Sequence, residues 1–293
     1  MTTSSTSPFP HASTGTSPST IHPLDQGLAL RLLSEGKYQG TASPAYWNRV
    51  GPFGGMTAAM MLNAVLISPQ RLGDPVALTV NYAAAMAAAP YQLNTRVVRS
   101  SRTTQHWTVE LVQEEKIVAT ATAICALRRE TWQHSEVSVP EGLPSAVALS
   151  APTHSHSMPW SRQYDLRPVR VSALSEQQQA SLGSTKDPQV PSHAWIRDHP
   201  PRPLDYPALA SICDTVLPWM FRRRKEIIQM STVSMSIYFH VSKAELDRVG
   251  EQYVYTKSFG QICHAGFMDS QAQIWSQDKV LLATMQQLMW VKE

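Results

Sequence analysis

The run Gly51-Pro52-Phe53-Gly54-Gly55-Met56-Thr57-Ala58-Ala59-Met60-Met61-Leu62-Asn63-Ala64-Val65-Leu66-Ile67 carries two messages. Its first five residues hold three glycines and a proline, the composition of a turn. From Met56 to Ile67 the residues are nearly all apolar, which predicts a helix without a polar face. A helix apolar on all sides is buried on all sides. Something must wrap it.

The residues around it supply the wrapping. A short strand is expected at Lys37–Thr41, before the turn. Strand-like runs follow at Val76–Ala83, Tyr91–Val98, His106–Val112 and Lys116–Leu127, with Gln113-Glu114-Glu115 turning the last pair. The order then recurs. Strand-like Tyr164–Val171 and Ala194–Arg197 lead to Asp205, a helix N-cap. An apolar helix is expected from Pro207 to about Leu217, limited by Pro218. Strands at Met230–Val241, Gln252–Ser258, Gly266–Trp275 and Val280–Trp290 complete it. One buried helix and an antiparallel meander, twice, is an α+β pattern. The run Asn63–Leu66 also aligns with Asp214–Leu217 at an offset of 151 residues.

Two polar stretches frame these bodies. Residues 1–24, mostly Ser, Thr, Pro and His, are expected to be a flexible leader. Residues 131–160, rich in Pro and Ser, read as a linker between bodies at 25–130 and 161–293. The 293 residues and 43% hydrophobic content allow a sizeable core. A net charge of +3 with 16% charged residues gives no reason to expect nucleic acid as a partner. Three scattered cysteines, Cys125, Cys213 and Cys263, suit a reducing compartment. Neither a secretory pattern nor a membrane-spanning run of ~18 apolar residues is present, so a cytoplasmic protein without a membrane span is expected.

A duplicated scaffold can be compared with itself. Asp214 lies in the second apolar helix where the first has Asn63. A carboxylate among Ala210, Cys213 and Leu217 needs partners, unless it is partly exposed or locally bonded. Thr232 begins the next strand, where it is also simply a good strand former. Gln286 and Gln287 in the last strand face opposite ways, so one points at the helix. Gly54 and Gly55 correspond to Asp205 and Tyr206, and Met56 to Pro207. The first helix therefore starts bare, with backbone N–H groups able to hold an anion or polarise a carbonyl oxygen; a turn chosen for its backbone angles is the alternative.

Phe53-Gly54-Gly55 opening an apolar helix, Asp214 on the second helix, Thr232 in Thr-Val-Ser-Met-Ser-Ile-Tyr-Phe-His, and Gln286 in Ala-Thr-Met-Gln together resemble the acyl-CoA thioesterase II family over residues 27–293. The resemblance implies a double hotdog fold, two tandem helix-wrapped antiparallel sheets. It also implies that Asp214, Thr232 and Gln286 hold and activate a hydrolytic water, without cofactor or metal. The implied substrate is an acyl-CoA, fatty or otherwise, as in lipid metabolism. Sheet edges of relatives often pair, which implies a homo-oligomer. Gly54, Gly55 and Met56 would bind the substrate, with the N–H of Gly55 or Met56 facing the developing oxyanion. One composite site per chain follows, with the second half supplying side chains and the first supplying backbone dipoles. The chain differs from the family at Met56, often polar in relatives, and in the bland run Ala83–Pro90. A catalytically weak acyl-thioester binding protein of the same fold is the other reading.

Other chemistries find less support. No Gly-x-Ser-x-Gly elbow occurs. His154 and His156 lack nearby Cys or acidic ligands for a metal. Arg222-Arg223-Arg224-Lys225 could meet CoA phosphates or complement a helix C-terminus.

Overall fold

A computed structural model describes residues 21–150, 158–169, 193–216, 218–222, 224 and 228–292. The expected leader up to residue 20, the His154–His156 pair, and Arg223 and Lys225 lie outside them.

The helix of the opening run forms as α2, Gly54–Leu66, after a short α1, Pro23–Leu28. Ten of its thirteen residues are buried, as an all-round apolar surface requires. Each large side chain so buried contributes about 1.5–3 kcal/mol. Its counterpart α3, Tyr206–Cys213, lies against it and is buried throughout. It stops short of the expected Leu217, because Asp214 takes the C-cap with φ −93° and ψ 0°.

The strands of the first half are β1 Arg31–Ser34, β2 Lys37–Thr41, β3 Asp74–Tyr82, β4 Pro90–Ser100, β5 Thr104–Gln113 and β6 Lys116–Ala126. Glu114 and Glu115 both have positive φ, so the β5–β6 hairpin turns through two left-handed residues. The second half holds β7 Tyr164–Pro168, β8 His193–Asp198, β9 Gln229–Phe239, β10 Val254–Phe259, β11 Cys263–His264, β12 Phe267–Trp275 and β13 Leu281–Lys292. All pairings are antiparallel, in the order β1-β2-β4-β5-β6-β3-β9-β13-β12-β10-β8-β7, with β11 beside β12.

The halves therefore share one sheet, joined at a β3–β9 seam where Ala77 to Asn81 face Tyr238 to Ser234. Thr79 Oγ1 and Ser236 Oγ hydrogen-bond across it at 2.9 Å. The inner face of this sheet carries α2 and α3, and one apolar core runs through both halves. Part of the stretch read as a linker is packed: Val139 and Ala146 cover Trp195, Tyr255 and Trp275. Among the described residues, no helix is long and apolar enough to cross a membrane.

One element escaped the sequence reading despite a clear signal. The helix α4, Lys243–Val249, starts at a capping box formed by Ser242 and Glu245.

Candidate active site

The start of α2 and the end of α3 meet at a point with no room for side chains. A Cβ on Gly55 would stand 2.5 Å from the Ser211 carbonyl oxygen and 3.0 Å from Asp214 Cβ. A Cβ on Gly54 would stand 2.8 Å from Asp214 Oδ2. Glycine is required here for approach, since neither residue has a positive φ. The residue before them, Phe53, is the N-cap and offers no side-chain acceptor. Its ring stacks on Trp160 at 4.3 Å between centroids, and Tyr164 meets both rings edge-on. The Tyr164 hydroxyl shares a hydrogen bond with Ser211 Oγ at 2.6 Å, which ties this aromatic group to α3.

Asp214 supplies the cap that Phe53 lacks. Its carboxylate accepts the Gly55 N–H and a hydrogen bond from Gln287 Nε2 at 2.7 Å. The same Nε2 donates to Thr232 Oγ1 at 2.7 Å. Both amide protons of Gln287 are thereby used. The hydroxyl of Thr232, accepting from Gln287, keeps its own proton to give. Burial pushes the Asp214 carboxyl up to about 7, against the pull of Gln287 and Gly55. The residue is nevertheless partly exposed, so a water can reach it.

The glutamine is Gln287, and this corrects the expectation of Gln286. On β13, Ala283, Met285, Gln287, Met289 and Val291 are buried, while Gln286, Leu288 and Trp290 are exposed. The two-residue period of a strand therefore sends Gln286 to the outer face of the sheet.

Thr232 reaches the inner face through a bulge. Leu288 pairs with Ser234 and Met289 with Thr232, so Val233 has no partner in the ladder. Met235, Ile237 and Phe239 face inward at odd numbers, and an unbroken strand would turn Thr232 outward with Ser234 and Ser236. The extra residue reverses the alternation and puts Thr232 beside Gln287.

The three first-helix residues separate. Gly55 gives its N–H to Asp214, and Met56 gives its own to the Phe53 carbonyl at 3.0 Å, so neither amide is left for an oxyanion. The Met56 side chain is buried towards α1, its Cε 2.6 Å from where a Cβ on Gly27 would stand. Gly54 is partly exposed, and among the described residues its N–H has no hydrogen-bond partner. Asn63, the counterpart of Asp214 in the sequence, is elsewhere: it donates to the Leu28 carbonyl at 2.9 Å.

Tyr82 was passed over in the sequence, where it reads as the end of a strand. Its hydroxyl donates to Gly54 O at 2.8 Å. Burial, and then the negative charge of Asp214, push that hydroxyl well above its ordinary range. The adjoining apolar run is fastened by Gln113, which accepts from the Ala87 N–H at 2.8 Å and donates to the Ala87 and Ala89 carbonyls at 3.0 Å.

Residues 43–126 match the acyl-CoA thioesterase N-terminal domain, and residues 140–291 match the acyl-CoA thioesterase C-terminal domain. Among curated proteins none matches. Among solved structures, a conserved protein of unknown function with a hot dog fold from Alicyclobacillus acidocaldarius is 36% identical, with a TM-score of 0.85 over 94% of this chain and 99% of that one. The acyl-CoA thioesterase II TesB2 from Mycobacterium marinum is 17% identical, with a TM-score of 0.71 over 92% of this chain and 98% of that one.

Proposed function

The chain belongs to the acyl-CoA thioesterase family and is a double-hotdog thioester hydrolase; from this premise we propose that it cleaves acyl-CoA to a free acid and CoA with a water activated by Asp214, Thr232 and Gln287. The observation that supports this reading is the Asp214–Gln287–Thr232 hydrogen-bond chain set against the glycine start of α2.

The chemistry follows from the protons. A carboxyl titrating near 7 is ionised in a large fraction of molecules at neutral pH and still basic enough to take a proton. Gln287 fixes the carboxylate by one N–H and turns the Thr232 hydroxyl by the other. That hydroxyl donates to the attacking water, which gives a proton to Asp214 while its oxygen bonds to the thioester carbonyl carbon. The free Gly54 N–H, at the positive end of α2, faces the negative oxygen that develops. When the C–S bond breaks, the CoA sulfur leaves with the electron pair and takes the proton from Asp214.

Asp214→Asn, assayed by thiol release over a panel of acyl-CoA chain lengths, should lower kcat/KM roughly a thousand-fold. It should keep a cooperative thermal unfolding transition. An Asn variant with full activity would end this assignment, and the panel reads the acyl preference of the native enzyme.

A further inference from the structure

The Gly54–Gly55 peptide unit is engaged at both ends. Its carbonyl accepts the Tyr82 hydroxyl at 2.8 Å, and its N–H donates to the Asp214 carboxylate. A Cβ on Gly54 would lie 2.8 Å from Asp214 Oδ2 and 3.6 Å from the Tyr82 ring, so phenol, peptide and carboxylate form one continuous contact. A hydrogen bond accepted at a peptide carbonyl polarises the unit and strengthens donation from its N–H. We propose that Tyr82 is a positioning residue for hydrolysis, acting through the Gly54–Gly55 peptide on the carboxylate of Asp214.

The inference rests on the reading of Asp214 as the base. Tyr82 does two things there. It fixes the plane of a Gly-Gly peptide, the unit with the greatest freedom to turn. It also strengthens one of the two donors, Gly55 and Gln287, that favour the ionised carboxylate against burial. The ionisable groups that feel the Asp214 charge are Tyr82 on β3, Tyr164 on β7 and Cys213 on its own helix. All three are raised by burial and stay neutral near pH 7, so among the described residues no neighbouring cation dilutes the effect of these donors on the ionised form.

The sign follows. A weaker Gly55 donor makes the carboxylate harder to ionise. Tyr82→Phe, which keeps the ring, should move the acid limb of kcat/KM against pH upward by roughly half a unit. That is roughly a three-fold loss below the limb with little change on the alkaline plateau. The carbon-13 signal of the Asp214 carboxyl, titrated in the resting enzyme, should move the same way. Replacing Tyr82 by 3-fluorotyrosine, a stronger donor of the same shape, should move both downward. A limb and a titration that stay in place in both variants, or an equal loss at every pH, would overturn the proposal. A titration that moves while native kcat/KM shows no acid limb would uphold the Tyr82 coupling and overturn Asp214 as the base.

Discussion

The two central helices begin in opposite ways. At α3 the cap is local: Asp205 accepts the Ala208 N–H at 2.8 Å and is gripped by Arg202, which also pairs with Asp25 at 2.7 Å. At α2 the cap is borrowed: Asp214 comes from the other half of the chain, and among the described residues no cation grips it. Both carboxylates neutralise the positive end of a helix. Only the first is fully compensated. The second is left close to its midpoint of ionisation at neutral pH, the condition that suits the base proposed above. On that proposal the duplicated scaffold uses one device for stability and the other for chemistry.

The largest test of this contrast is the dependence of stability on pH. The Asp214 carboxyl is raised from 3.8 to about 7 in the folded chain. Between those values the folded state holds a proton that the unfolded state has released. Stability from this group is therefore complete below the lower value and is lost as pH rises through the upper one. The loss is up to about 4 kcal/mol. Chemical denaturation at pH 5 and pH 8 should show that slope in the native chain and a smaller one in Asp214→Asn. Equal slopes would mean that both caps are structural.

A smaller effect concerns what completes the borrowed cap. Gln287→Ala should cost roughly a hundred-fold in kcat/KM, since it removes the donor that orients both Asp214 and Thr232. Gln286→Ala, on the outer face, should leave the rate unchanged within about two-fold, as surface changes usually do. The smallest effect is at the local cap. Asp205→Ala should cost about 1–2 kcal/mol in urea denaturation, with kcat/KM per folded molecule unaltered.

Much of this arrangement is legible in the sequence, for a physical reason. A helix apolar on every side and strands of alternating polarity announce themselves through periods that burial imposes. Asp214 stood out because a carboxylate in an apolar helix demands an account. Gln286 and Gln287 could not be separated, because alternation gives two faces and not which one is inner. Counting back from the buried Val291 and Met289 would have chosen Gln287, had the register been known. Tyr82 gave no signal at all: a tyrosine ending a strand is ordinary, and its partner is a backbone carbonyl. The partners of the Gly55 and Met56 amides, a distant carboxylate and a preceding carbonyl, were not legible, since both depend on tertiary placement.

The unpaired Val233 carries a last consequence. A β9 in which Val233 paired with Met289 would keep its apolar inner face from Met235 onward and regain an uninterrupted ladder. It would also turn Thr232 to the outside. Under the proposed mechanism the chain keeps a sheet slightly less regular than its residues could form, and the irregularity is what brings the Thr232 hydroxyl to Gln287.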